Sequence, residues 1–138
     1  MTIETVRQIC RSFRGATEDV KWGHDLVFSV GGKMFVAVDL QPPHSIAFKC
    51  SPEAFAELVE REGLVPAPYL ARAMWVQEQE LGQALHRREL EPLLQSAYDL
   101  VVARLPASRR PGATSANTAS RASRRQALPA TTRTRRIK

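Results

Sequence analysis

On either side of Gly31-Gly32 the sequence alternates with a period of two, and this commits the chain to an antiparallel sheet. Before the glycines, Leu26, Phe28 and Val30 fall on one face of an extended chain, with Val27 and Ser29 on the other. After them, Met34, Val36, Val38 and Leu40 alternate with Phe35, Ala37 and Asp39. Two consecutive glycines accept the positive φ that a two-residue hairpin turn requires. Gln41-Pro42-Pro43 reads as a second turn, and Ser45 to Cys50 as a third strand with Ile46 and Phe48 on one face. The result is a three-strand meander.

Helices flank it. Ile3, Val6, Ile9, Cys10 and Phe13 recur at helical spacing, so residues 2–14 read as an amphipathic helix that Gly15 ends. Thr17 to Lys21 reads as a polar loop. Ser51-Pro52-Glu53 places a cap, an N1 proline and a first-turn acid in order, and Gly63 stops the helix that follows. Leu64 to Pro68 is extended, and Met74-Trp75-Val76 reads as a further strand, with Tyr69 as its continuation on the other side. Leu90, Leu93, Leu94, Ala97, Tyr98, Val101, Val102 and Leu105 draw a continuous apolar stripe on a last helix that stops at Pro106. The expected order is α-β-β-β-α-β-(β)-α, an α+β fold in two layers.

Charge divides the chain at the same proline. Residues 1–105 hold eleven Lys and Arg and all 14 acids, a net of −3. Residues 106–138 hold nine cations and no acid: Arg109, Arg110, Arg121, Arg124, Arg125, Arg133, Arg135, Arg136 and Lys138. With Leu128 and Ile137 as their only large aliphatic residues, they lack the apolar area to offset ordering, so the composition predicts a disordered basic tail behind a folded domain of residues 1–105. Nine cations without an acid suit a polyanion such as DNA, with no sequence preference. No segment has the length of a membrane span or the pattern of a secretory signal, so the cytoplasm is the expected location and no membrane partner is expected. Two cysteines make no disulfide framework, although Cys50, just before a helix cap, is placed where a thiol can become reactive.

The short stretches Thr17 to Gly23, Val30 to Phe35, Phe48-Lys49-Cys50, Pro66 to Leu70 with Trp75-Val76, and Ala97 to Val101 together resemble the MmcQ/YjbR family. These are small bacterial proteins described as DNA-binding. The resemblance spans roughly residues 3–105. It implies a five-stranded antiparallel sheet with helices on one face, similar to type III secretion chaperones. In Arg72-Ala73-Met74-Trp75 a single basic residue stands where one form of the family has several, and Ala97 separates Ser96 from Tyr98, which another form has adjacent.

Among candidate site residues, Lys33 and Phe35 share one face of their strand and Lys49 lies away from Phe48. If the faces coincide, Lys33, Phe35 and Lys49 meet Trp22, Tyr69, Arg72 and Trp75 on the open side of the sheet, cations for phosphates and flat rings for bases. The competing reading packs both tryptophans and Phe35 in the core. Gly31-Gly32-Lys33 lacks the remaining residues of a phosphate loop and is a hairpin turn. Glu18, Asp19, His24 and Asp25 share a loop at a spacing that matches no metal motif. No catalytic set can be assembled and no cofactor is expected. The function expected is therefore non-enzymatic DNA binding; the alternative is a protein-interaction module, chaperone-like and dimeric.

Overall fold

The computed structural model describes residues 1–111. Met1–Arg104 forms one unit, and Leu105–Pro111 is the described part of a second. The first contains α1 (Ile3–Arg11), β1 (Thr17–Lys21), β2 (Asp25–Val30), β3 (Lys33–Asp39), β4 (Ile46–Lys49), α2 (Pro52–Leu58), β5 (Leu64–Pro66), β6 (Trp75–Glu78) and α3 (Arg87–Arg104). The sheet is antiparallel, open and six-stranded, in the order β1-β2-β3-β4-β6-β5.

The sixth strand is a correction. Thr17 to Lys21 is no loop but an edge strand, paired with β2 from Thr17↔Ser29 to Lys21↔Asp25. Its residues are almost all exposed, so it carries no apolar alternation; the backbone ladder holds it. Arg7 on α1 adds two bonds to Glu18, from Nε to Oε1 at 3.0 Å and from Nη2 to Oε2 at 2.7 Å. That pairing holds the Glu18 carboxyl below its ordinary range. Tyr69 does not continue β6; it sits at φ 67° between β5 and β6.

Cross-strand register fixes two faces. Leu26, Phe28, Val36, Val38, Ile46, Phe48 and Val76 share one and are buried, mostly completely. α3 packs against β2, β3 and β4, while α2 lies by β5 and β6. A bulge breaks the alternation. Phe28 pairs with Val36 but the next residue, Ser29, pairs with Met34, so Phe35 is the extra residue on β3. Phe35 consequently joins the core, its ring 6.0 Å from Phe13 and 5.6 Å edge-on from Tyr98. The Tyr98 hydroxyl donates to the Arg14 carbonyl at 2.5 Å, tying α3 to the turn that follows α1.

One carboxyl group is buried. Glu78 shares the core face with Ile46 and is fully buried. Its carboxylate accepts N–H bonds from Gly82, Ala84 and Leu85 at 3.1, 2.8 and 2.7 Å, fixing the turn that leads into α3.

In the second unit, Ala107–Arg109 forms one 3₁₀ turn, and Arg110 Nε donates to the Leu105 carbonyl at 3.0 Å. Arg121, Arg124, Arg125, Arg133, Arg135, Arg136 and Lys138, and the expected disorder of the tail around them, lie outside the described residues.

Candidate functional site

On the face of the sheet opposite α3, Trp22, His24, Asp25, Asp39 and Tyr69 border a groove, and two alanines make room for it. Ala37 pairs with Ala47 between Val27 and Gln77 of the same row, so the two central strands contribute only methyl side chains there. The bulge turns Met34, instead of Phe35, toward this face. The segment Ala67–Leu70 forms one wall, and the β1–β2 turn carrying Trp22 forms another. Together they bound a groove of about 560 Å³.

The groove is acidic at one end and aromatic at its rim. Asp25 and Asp39 are cross-strand partners. His24 Nδ1 lies 3.1 Å from Asp39 Oδ1 and 3.4 Å from Asp25 Oδ1. Asp39 Oδ1 also accepts the Gln41 N–H at 2.9 Å. One ligand atom from each of His24, Asp25 and Asp39 lies within 4.8 Å of the others. The spacing of Glu18, Asp19, His24 and Asp25 conceals this trio, because Asp39 reaches it through strand pairing and Glu18 is engaged by Arg7. Trp22 is 67% exposed and Tyr69 completely so. Both adopt left-handed backbone, φ 55° and 67°, a conformation bulky side chains rarely hold. Strain that presents an unpacked ring to solvent is the kind retained at binding sites.

The seven sheet-region candidates do not come together as expected. Phe35 is fully buried, away from the open face, because of the bulge. Trp75 shares a register row with Lys49 but is 4% exposed; its N–H donates to the Leu70 carbonyl and its carbonyl accepts from Ala67. It has no free ring face for a base. Lys33 is exposed at the hairpin tip, paired with Val30 of the core-facing set. Lys49 is half-buried, and its Nζ donates to the Ala73 carbonyl at 2.7 Å. Burial, with Arg104 nearby, lowers its pKa. Arg72 is exposed on the 3₁₀ turn Ala71–Ala73. Only Trp22 and Tyr69 of the seven line the groove. No Lys or Arg among the described residues lines it.

The cysteines are free and buried. Burial pushes the Cys10 thiol up to about 12 and the Cys50 thiol to about 11, and Cys50 Sγ lies 3.3 Å from the Met74 carbonyl. Cys50 is therefore a protonated core thiol at neutral pH, not an activated nucleophile.

Comparison with known proteins agrees with the architecture. The chain is similar to a Deinococcus radiodurans protein with a DUF419 domain, whose crystal structure superposes with a TM-score of 0.68 at 26% identity over 75% of this chain and 80% of that one. It is also similar in fold to a Pseudomonas syringae protein, with a TM-score of 0.61 at 17% identity over 72% of this chain and 98% of the other. No curated protein matches the sequence. A sequence model of the YjbR family matches residues 11–100, two-thirds of the chain and nearly all of the α+β unit: the chain belongs to the YjbR family.

Proposed function

We propose that this YjbR-family protein is a non-enzymatic, cytoplasmic, DNA-associating protein whose phosphate contacts come from residues 106–138 and not from the sheet. The observation that carries this reading is charge segregation: nine cations without an acid follow Leu105, behind a body of net −3. Within the body, cations are dispersed or engaged. Arg7 pairs with Glu4 and Glu18, Arg61 with Glu89, and Arg87 with Glu91. The groove presents carboxylates, which repel a phosphate backbone.

The contacts are non-specific, because phosphate neutralisation carries no base information. The test uses the full-length protein and a variant with Arg121, Arg124, Arg125, Arg133, Arg135, Arg136 and Lys138 changed to Gln. Affinity for a short duplex is measured by fluorescence anisotropy across about 50 to 200 mM salt. If all nine cations meet phosphates, the log–log slope approaches about −8, and in the variant it falls to about −2. Equal affinity and slope for the two proteins overturns the proposal. The groove favours a second, compatible role in protein interaction.

A further inference from the structure

We propose that the groove on the open sheet face is a docking site for a polypeptide segment presenting an arginine or lysine side chain, with Asp25 and Asp39 receiving the cationic head and Trp22 and Tyr69 flanking it. Its lining residues fall between Trp22 and Gln77, apart in sequence from the segment proposed to contact phosphate and opposite to it in charge.

Three features select a cation. Asp25 and Asp39 stand side by side on paired strands; Lys21 pairs with Asp25 from the β1 side, and no Lys or Arg among the described residues lines the groove itself. His24 and the Gln41 N–H both engage Oδ1 of Asp39, so Oδ2 accepts neither of these bonds. Two exposed rings, Trp22 and Tyr69, stand at the rim, and an aromatic face attracts a guanidinium or ammonium.

Two further features select a side chain carried by a polypeptide. Ala37 and Ala47 leave an apolar floor beside the acids, suited to the aliphatic stem of Arg or Lys. Asp25 and Asp39 are each about 30% exposed, so the site is reached from outside. A free metabolite is ordinarily enclosed over most of its surface; a residue on a bound chain is not. The body's net negative charge steers basic segments toward it.

The experiment uses the full-length protein, alongside the seven-Gln variant so that competition from the chain's own cations is removed, and a fluorescein-labelled heptapeptide of Gly, Ala and Leu with one central Arg. The control peptide carries citrulline, which keeps the shape and loses the charge. Anisotropy should show the Arg peptide binding about tenfold more tightly than the citrulline peptide. Tyr69→Ala and Asp39→Asn should each weaken binding by about three- to tenfold, with circular dichroism unchanged. Tyr69 is fully exposed, so its loss cannot be attributed to misfolding. Lys33→Gln, at the hairpin tip, should leave peptide affinity as it is. Equal affinity for the two peptides, or no response to Tyr69→Ala and Asp39→Asn, overturns the proposal. So does tight binding of Mn²⁺ alone that Asp39→Asn abolishes and that blocks the Arg peptide, which would assign the trio to a metal. Duplex affinity of the same variants is expected to stay constant, so this result and that of the tail variant fail independently.

Discussion

Replacing Phe35 with Ala removes a fully buried ring that touches both Phe13 and Tyr98, and it should cost about 3–5 kcal/mol in urea unfolding. Trp22→Ala, at a solvent-facing position, should change stability by roughly 0.5 kcal/mol or less. The contrast checks which aromatic residues are structural. Glu78→Gln replaces a buried carboxylate that accepts three backbone N–H bonds by an amide with one acceptor oxygen. It should cost about 1–3 kcal/mol and speed hydrogen exchange at Gly82, Ala84 and Leu85. Burial raises the Cys10, Cys50 and Tyr98 pKa values, so their neutral forms are favoured in the fold. Their contribution is complete below the ordinary values of 9.0 for Cys and 10.0 for Tyr and is lost as pH rises through the higher folded values. Stability should therefore decline above about pH 9, less steeply in Cys50→Ala, as read by unfolding at successive pH values. Glu18 acts in the opposite direction. Its folded pKa is depressed by Arg7, so its contribution is present above its ordinary value of 4.5 and lost as pH falls through the lower folded value.

At the scale of elements, legibility tracked burial. α1, α3 and the hairpin are readable because each buries one periodic face, as Val6, Ile9 and Cys10 do on α1; α2, of which only Leu58 is buried, is readable from its Ser51-Pro52-Glu53 start. β1 is not, because an edge strand such as Thr17–Lys21 is held by backbone bonds that leave no mark in side-chain pattern. The bulge at Phe35 was equally hidden: alternation through Met34, Phe35 and Val36 assumes a regular ladder, and one extra residue exchanges two side chains between faces. A regular ladder puts Phe35 on the open face, which it does not occupy, and Met34 on the buried one, whereas Ala37, Asp39 and Ala47 fall on the open face by alternation alone. The acidic trio needed the register Asp25↔Asp39, which sequence spacing does not contain. Trp22 and Tyr69 were legible as unusual residues, although their left-handed backbone was not. The tie between α3 and the segment after α1 has its own test. Tyr98→Phe keeps the ring against Phe35 and removes only the bond to the Arg14 carbonyl. It should cost about 1 kcal/mol in urea unfolding.

Across the whole molecule, charge is sorted by sequence position. A YjbR-family fold of net −3 carries an acidic, aromatic-rimmed groove, and every one of the nine residues charged after Leu105 is a cation. A groove lined by carboxylates and a sequence segment charged only by cations underlie the two proposals, a polyanion for the segment and a basic polypeptide for the groove. The most direct check is a residue-by-residue NMR map of the full-length ¹⁵N-labelled protein as a short DNA duplex is added. Shifts should concentrate in residues 106–138, while the Trp22 indole and the amides of Ala37, Asp39 and Ala47 stay in place. Shifts centred on those open-face residues, with the Arg-rich segment unmoved, would contradict the assignment of phosphate binding to that segment.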